Sequence, residues 1–293
     1  MLFDEKTLRK LSQLTLAASQ VRSGMIKGER RSVKRGASVE FADYRDYVHG
    51  DDLRRLDWNV YARLERPFIK LFEEEEDLAV HILVDGSRSM DWGEGEQNKF
   101  RYAIKLAAGL GAITLGAGDH LTVRILYDGK ASTQYGPLRG QRRLVQFLSF
   151  LEAAQPGGST DLNRPLREVA LSAQRPGLAF LVSDLFAPGG YQPGISQLQS
   201  RGYEVSILHL LTPDEIDPPL AGDLRLIDVE TGQAQEVSID GGLRSVYRRR
   251  IRDWQAEIQA YCNRRAIHYI NILTSTTWDK VVLYHLRSAG IVK

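Results

Sequence analysis

The sequence Ala79-Val-His-Ile-Leu-Val-Asp-Gly-Ser-Arg-Ser-Met90 decides the fold of this chain. Its first part is β-branched and apolar apart from one histidine, which predicts a strand that is buried on both faces, as in a parallel sheet. Asp85 follows this run directly. Because ligands bind beyond the carboxyl ends of the strands in open α/β sheets, we expect Asp85 to lie at a ligand-binding edge.

Strands and helices alternate along the rest of the chain. Further strands are predicted at 121–127, 178–183, 203–210 and 267–273, and helices at 100–115, 141–153, 159–174, 191–201, 243–265 and 277–289. An edge strand is expected at 131–135 after an Asp128-Gly129 turn, and a hairpin near Glu230-Thr-Gly232. Such alternation implies parallel strands joined by right-handed crossovers. The sequence therefore predicts an α/β fold with a doubly wound, mainly parallel sheet flanked by helices.

The amino-terminal quarter of the chain differs in composition and is predicted to form an extension. Leucines recur at roughly helical spacing over residues 4–20, which indicates an amphipathic helix. Residues 22–35 hold six basic residues and one acid, and we interpret them as a solvated arm. Residues 36–78 mix charges of both signs with aromatic side chains, which favours an ordered, salt-bridged layer. The predicted division is 1–76 for the extension and 77–293 for the α/β domain.

The composition of the whole chain excludes several classes of protein. The 39 basic and 37 acidic residues give a net charge of +2, so there is no overall bias toward nucleic acid or anionic membranes. Cys262 is the single cysteine, which excludes an intramolecular disulfide and a cysteine-based zinc site. The first residues lack the features of a signal peptide, and the apolar run at 106–118 is too short to cross a bilayer. We therefore expect a soluble cytoplasmic protein.

Short oxygen-bearing side chains follow three separate segments of the predicted sheet. The candidate metal ligands are Asp85, Ser87, Ser89, Thr160 and Asp184. We expect them to converge, because the carboxyl ends of parallel strands share one edge of a sheet. An oxygen-only set suits Mg²⁺ (or Mn²⁺), and neutral hydroxyl ligands leave the ion with positive charge that attracts an incoming carboxylate.

These residues resemble the metal-ion-dependent adhesion site of von Willebrand factor A domains, in the family's order and at comparable spacing. The matching motifs are Asp-x-Ser-x-Ser at 85–89, Gly-Gly-Ser-Thr-Asp at 157–161 and Val-Ser-Asp at 182–184. The resemblance implies that the two serines and Thr160 bind the ion directly, whereas the two aspartates act directly or through water. It also implies a Rossmann-type fold and a non-enzymatic function, the binding of an acidic residue on a protein partner.

An upstream block is similar to a more specific bacterial family, filed as domain of unknown function fifty-eight. The block reads Gly-Ala-Ser-Val-Glu-Phe-Ala-Asp-Tyr-Arg-Asp-Tyr at 36–47 and Gly-Asp-Asp-Leu-Arg-Arg-Leu-Asp-Trp at 50–58. That family is often associated with MoxR-type AAA+ ATPases. The resemblance therefore implies that the partner is such an ATPase or a client protein that the ATPase remodels. Many relatives carry two amino-terminal membrane helices, and none is predicted here.

Other interpretations of these residues stay open from the sequence alone. The serine turn could merely cap the next helix, and Asp161 could replace Thr160 as a ligand. Alternative functions are a metal-dependent hydrolase, for which no general base is evident beside the motif, and nucleic-acid binding through residues 22–35. The histidines within the predicted strands are interpreted as hydrogen-bonded core residues, and they are His81, His209 and His268.

Overall fold

The computed structural model describes most of the chain as two compact units. The described residues are 3–11, 13–17, 39–74, 77–127, 132–159, 161–172, 175–227 and 232–293. One unit comprises Met1–Arg22 with Leu78–Lys293, and the other comprises Ser23–Asp77. The sequence grouped residues 1–22 with the extension, whereas their contacts place them in the same unit as the sheet. The basic segment at 22–35 lies outside the described residues, as does the Asp128-Gly129 turn.

The smaller unit contains a hairpin and a short helix. Strand β1, Val39–Asp46, pairs antiparallel with β2, Phe68–Glu74, and helix α2, Trp58–Leu64, lies between them in sequence. Asp57 caps this helix by accepting from two backbone N–H groups of its first turn, and it also accepts from the Tyr44 hydroxyl at 2.9 Å. These contacts join a charged and an aromatic side chain of the segment, and the ordered, salt-bridged layer expected over residues 36–78 stays a prediction.

The larger unit is built on a six-stranded sheet. Its strands and those of a separate hairpin are β3 Ala79–Asp85, β4 His120–Leu126, β5 Thr133–Arg139, β6 Leu178–Ser183, β7 Glu204–Leu211, β8 Gly222–Ile227, β9 Ala234–Ile239 and β10 His268–Leu273. The order across the sheet is β10-β7-β6-β3-β4-β5, and β8 pairs with β9. All neighbouring strands of the large sheet are parallel except β4 and β5. The predicted α/β class with a mostly parallel sheet is confirmed.

Helices cover both faces of this sheet. They are α1 Glu5–Leu11, α3 Lys99–Gly116, α4 Leu144–Glu152, α5 Asn163–Ser172, α6 Gln192–Ser200, α7 Pro213–Ile216, α8 Gly241–Arg264, α9 Trp278–Lys280 and α10 Leu286–Ser288, with a π-helical turn at Val281–His285 before α10. Alternate residues of each buried strand point to opposite faces. On β3, for example, Val80, Ile82 and Val84 pack into the core beneath α3 and α4, whereas Leu83 packs with α5 and α6. Because both faces are covered, these strands are apolar on both sides.

Several predicted boundaries were wrong for local physical reasons. The first helix ends at Leu11, because Leu16 forms a bridge with Val292 in extended conformation. Helix α5 begins at Asn163 rather than 159, since the Asp161 carboxylate accepts from the Asn163 N–H at 2.8 Å and forms a turn before the helix. The edge strand β5 lies at 133–139 rather than 131–135.

The two ends of the described chain are joined by backbone hydrogen bonds. The Thr15 N–H donates to Lys293 O at 3.2 Å, the Lys293 N–H donates back to Thr15 O at 2.9 Å, and the Ala17 N–H donates to Ile291 O at 2.8 Å. This short antiparallel pairing fixes the amino-terminal segment to the last residues of the larger unit.

Candidate functional site

The candidate site lies where the chain changes direction across the sheet. From β3 the chain proceeds to β4 on one side, and it later returns to β6 on the other side of β3. The carboxyl ends of β3 and β6 therefore flank the switch point at which α/β sheets bind ligands. Asp85 is the last residue of β3, whereas the sequence predicted that it would be the first residue after this strand. Asp184 immediately follows β6.

The serine turn after β3 holds two hydroxyls side by side. The Ser87 and Ser89 Oγ atoms are 3.0 Å apart, and the Ser87 N–H donates to Asp85 Oδ1 at 3.0 Å. Gly86 is required at the start of the turn, because a Cβ atom there would lie 2.5 Å from the ring of Tyr127. The turn is also anchored to the loop at 157–158, which hydrogen bonds to residues 86 and 88 through its backbone.

Asp85 is a buried carboxylate with internal donors on both oxygens. Oδ1 accepts from the Ser87 N–H at 3.0 Å, and Oδ2 accepts from the Ser183 hydroxyl at 2.6 Å. Burial and the negative charge of Asp184 together raise the pKa of Asp85 to about 6, whereas its hydrogen bonds act in the opposite direction. Asp85 is therefore fixed in orientation and keeps lone pairs for an additional cation or water.

Asp184 is held by a buried lysine that the sequence reasoning missed. Lys99, the first residue of α3, is completely buried, and its Nζ atom lies 2.6 Å from Asp184 Oδ2 and 2.6 Å from Glu215 Oε1. The other Asp184 oxygen accepts from the Phe186 N–H at 3.0 Å. The three side chains form an ion cluster of one cation and two anions. We call the Lys99, Asp184 and Glu215 side chains the lysine cluster.

The backbone beside the lysine cluster is fixed by further buried groups. Leu185 adopts a positive φ of 58°, which is uncommon for a branched residue, and its N–H donates to the Ser183 hydroxyl at 2.9 Å. The buried His209 contacts the Asp184 carbonyl oxygen through Nε2 at 3.0 Å. A carbonyl can only accept, so Nε2 carries the proton and Nδ1 accepts from the Tyr269 hydroxyl at 2.6 Å. The interpretation of His209 as a hydrogen-bonded core residue is confirmed.

Three of the five predicted metal ligands lie on the turn after β3, and a fourth lies at the end of the neighbouring strand β6. Asp85, Ser87 and Ser89 lie on one turn, and Asp184 lies close enough to affect the pKa of Asp85. Thr160 lies outside the described residues. The alternative ligand, Asp161, instead uses one carboxylate oxygen for the turn before α5.

The donor atoms of the serine turn fit a small hard cation. Mg–O distances of about 2.0–2.1 Å place neighbouring corners of an octahedron roughly 2.9 Å apart, and the two serine oxygens are 3.0 Å apart. Among the described residues, no group of three or more His, Cys, Asp or Glu side chains could hold a metal ion. A metal at this position would therefore rely on hydroxyl and water ligands together with Asp85, while Lys99 already neutralises part of the Asp184 charge.

Two sequence signals could have revealed the lysine cluster. A lysine in the first turn of a helix is unfavourable, because its charge has the same sign as the positive end of the helix dipole. Lys99, directly after the N-cap Asn98, therefore indicates that its ammonium group has an acidic partner outside the helix. The sequence Thr212-Pro-Asp-Glu215 has the spacing of a capping box, and the structure contains that box. One oxygen of Glu215 completes the cap, and the other accepts from Lys99.

The fold and site define a mixed α/β protein with a mostly parallel sheet and a polar site at the carboxyl edge of its central strands. Residues 43–257 match the family described as "Protein of unknown function DUF58", and the chain belongs to this family. The predicted family membership is thus confirmed. No helix within the described residues is long and apolar enough to span a membrane.

Two mycobacterial proteins are similar to this chain over most of its length. Uncharacterized protein Rv1480 of Mycobacterium tuberculosis and Uncharacterized protein Mb1516 of Mycobacterium bovis are each 27% identical over 278 residues, which cover 94% of this chain and 87% of the relative. Among solved structures, the conserved hypothetical protein BatB of Bacteroides thetaiotaomicron is 14% identical with a TM-score of 0.45, covering 72% of this chain and 98% of that chain. An aerotolerance-related membrane protein of Bacteroides fragilis is 15% identical with a TM-score of 0.45, covering 72% and 99%.

Proposed function

We propose that this protein is a non-enzymatic, metal-dependent interaction module of the von Willebrand factor A type. The observation that carries the proposal is the pair of serine hydroxyls, 3.0 Å apart, beside the buried Asp85 at the switch point of the sheet. Ser87, Ser89 and Thr160 would bind Mg²⁺ or Mn²⁺ directly, and Asp85 and Asp184 would act directly or through water. The bound metal would supply a positive charge for an acidic residue of a protein partner.

The lysine cluster supports this proposal through its charge. Lys99 contributes one positive charge against the two carboxylates of Asp184 and Glu215. The hydrogen bond from Lys99 reduces the negative charge that Asp184 can direct toward a metal. A cation on the serine turn would therefore keep more of its attraction for an external carboxylate.

The proposed partner is a MoxR-type AAA+ ATPase or a client that such an ATPase remodels in protein assembly. This part of the proposal is based on the resemblance of the chain to its family, and the site chemistry adds that the partner must present an acidic side chain. Co-purification from the native cell, with and without a chelator, tests the partner. We expect the ATPase or its client to be retained only when the divalent metal is present.

Calorimetric titration with Mg²⁺ and Mn²⁺ tests the metal site directly. We expect Ser87→Ala to weaken metal binding while the protein stays folded, since the substitution removes one hydroxyl and its hydrogen bond to Ser89, worth about 1 kcal/mol, and no core volume. The matched control is Ser196→Ala on α6, whose hydroxyl bonds only within its own helix at 2.9 Å. Binding by the Ser87 variant equal to that of the control would contradict the proposal, as would the absence of binding by the unmodified protein.

A further inference from the structure

A polar cleft lies at the opposite end of the strands that carry the candidate site. It has a volume of about 490 Å³ and is bounded by the first residues of β3 and β4, by β5 and by the end of α5. The lining residues that carry the argument are His81, His120, Thr122, Arg124 and Arg175. No acidic side chain is among the described residues that line this cleft.

The cleft exists because the helix covering this face of the sheet ends early. Leu83 and Leu126 lie beneath α5 and are buried in the apolar core. His81 and Arg124 point to the same face as these leucines but lie nearer the amino ends of β3 and β4, where α5 has ended at Ser172. Polar residues therefore occupy strand positions that would be apolar beneath a helix.

Arg124 is a buried cation with an unused donor. It is only 8% exposed, and its Nε–H has no hydrogen-bond partner among the residues that the structure describes. Its NH2 group donates to the Ser172 hydroxyl at 2.8 Å, which supplies no negative charge. The nearby acid is Glu168, which acts on Arg124 only at a distance and forms its own ion pair with Arg164 at 3.3 Å. An incompletely compensated guanidinium in a buried position costs free energy unless an anion approaches it.

His81 supplies an unused acceptor in the same cleft. It is 6% exposed, its Nε2–H donates to the Arg175 carbonyl oxygen at 3.0 Å, and Nδ1 has no partner within the described part of the chain. Burial keeps the ring neutral, so Nδ1 is an acceptor that requires an external donor. The ring of Tyr203 packs edge-on against His81 at 5.1 Å, and the buried Tyr203 hydroxyl also lacks a partner.

We infer that this cleft binds a phosphate group, either inorganic phosphate or a phosphomonoester. A phosphate in its monoprotonated form would place oxygens toward Arg124 Nε–H and an O–H group toward His81 Nδ1, two buried atoms that it reaches after a small side-chain shift. The charge of the rim residue Arg175 adds to the attraction. Water could satisfy both unpartnered atoms but could not neutralise Arg124. Sulfate could neutralise Arg124 but carries no proton at neutral pH for His81. This inference is independent of the metal-dependent function, because it concerns the opposite end of the sheet.

NMR on protein carrying isotope-labelled arginine tests the inference in the unmodified chain. We expect inorganic phosphate to shift the Arg124 Nε–H signal in a saturable titration, whereas sulfate at the same ionic strength causes a much smaller shift. Parallel titration with phenyl phosphate at a pH of about 6, where roughly half of a phosphomonoester keeps its second proton, distinguishes the two sources, because a phosphomonoester that binds more tightly indicates that the natural ligand carries an organic group. An unchanged Arg124 signal, or an equal response to phosphate and sulfate, would overturn the inference.

Calorimetric titration of variants with inorganic phosphate then tests which side chains contribute to phosphate affinity. Arg124→Gln removes the buried charge and should weaken phosphate binding by about tenfold or more, the usual effect of losing a hydrogen bond to a charged group. Arg175→Gln changes an exposed side chain at the rim, leaves the core intact and should give a smaller loss. The control is Arg287→Gln, an exposed position on α10, which packs on the other face of the sheet. Equal affinity in Arg175→Gln, Arg124→Gln and the control would show that phosphate does not bind in the cleft.

Discussion

The two ends of β3 treat buried charge in opposite ways. At the carboxyl end, Asp85 has donors on both oxygens, and the buried Lys99 contacts two carboxylates. At the amino end, on the same face of the sheet, His81 and the neighbouring Arg124 each keep a buried polar atom that no described residue contacts through a hydrogen bond. The buried charged groups at the carboxyl end have partners within the chain. Those at the amino end have unpartnered polar atoms among the described residues.

This difference separates two ways in which a buried polar group can contribute to function. An ion cluster that is complete without a ligand stabilises a geometry, such as the serine turn and the backbone around Asp184. A cation and an acceptor without partners instead reduce stability until a ligand arrives, so they indicate binding more directly. Three measurements of stability, performed without metal or phosphate, test whether the two regions differ in this manner.

The largest expected effect is the loss of the buried ammonium group in Lys99→Met. This change leaves Asp184, which has no exposed surface, and Glu215 without their shared cation. Breaking a buried ion pair by removing one partner costs about 3–5 kcal/mol in the free energy of unfolding. Denaturant unfolding in the presence of a chelator measures this loss.

Two further variants sharpen the interpretation of this result. Adding Asp184→Asn to Lys99→Met should recover part of the stability, since the second change removes the uncompensated charge. Lys105→Met, one to two turns further along α3, removes a surface ion pair with Glu96 and should cost less than about 1 kcal/mol. If Lys99→Met and Lys105→Met were equally stable, the lysine cluster would not be the compensated region that the comparison requires.

The second expected effect is an acid-induced loss of stability that depends on His81. Burial lowers the pKa of His81 to about 4, from an ordinary value of 6.5. As the pH falls below 6.5, His81 becomes protonated in the unfolded chain but stays neutral in the folded chain. The free energy of unfolding therefore decreases until the pH reaches about 4. The loss is on the order of 3 kcal/mol at most.

Comparison of unfolding free energies at neutral and acidic pH measures this contribution. His81→Gln should show a smaller decrease on acidification than the unmodified protein. The control substitution is His268→Gln, at a partly exposed position. Asp85 acts in the opposite direction, because its raised pKa lets the folded state take up a proton between about 6 and its ordinary value near 4. A pH profile that is identical in both histidine variants would contradict the prediction.

The smallest expected effect is that of Arg124→Met. The substitution loses the hydrogen bond to Ser172 but relieves the buried charge and the unpartnered Nε–H. Replacing a poorly compensated buried ion with an apolar side chain is often neutral or stabilising, so the unfolding free energy should change by less than about 1 kcal/mol. Lys99→Met is the matched comparison, because it makes the same kind of replacement in the other region. A loss as large as that of Lys99→Met would show that Arg124 has a strong internal partner.

Sequence patterns predicted the architecture and the contiguous part of the site. Apolar strands without alternation indicated a parallel sheet covered on both faces, and the structure has that sheet. Asp85, Ser87 and Ser89 could be selected because they lie within five residues, so one turn necessarily groups them. The place of Asp184 at the end of a neighbouring strand also follows from topology, because parallel strands end at a common edge.

Contacts between distant segments could not be read from the sequence in the same way. Lys99 and Glu215 are 116 residues apart, and the depth at which Lys99 is buried depends on how α3 packs on the sheet. His81 was predicted to be a hydrogen-bonded core histidine, and this is confirmed by its burial and its bond through Nε2, but no sequence signal indicated that Nδ1 would have no partner among the described residues. The environment of His81 depends on which part of the sheet α5 covers. The predicted position of this helix was wrong at its start, because Asp161 forms a turn there.

The backbone pairing of Thr15 and Ala17 with the last residues of the chain has a consequence for biosynthesis. The residues that complete this pairing, 291–293, leave the ribosome after every strand of the six-stranded sheet. The amino-terminal segment therefore cannot form these backbone hydrogen bonds while the sheet is being translated. Closing a loop of this length is entropically costly, so the pairing is expected to form late, after the sheet has assembled.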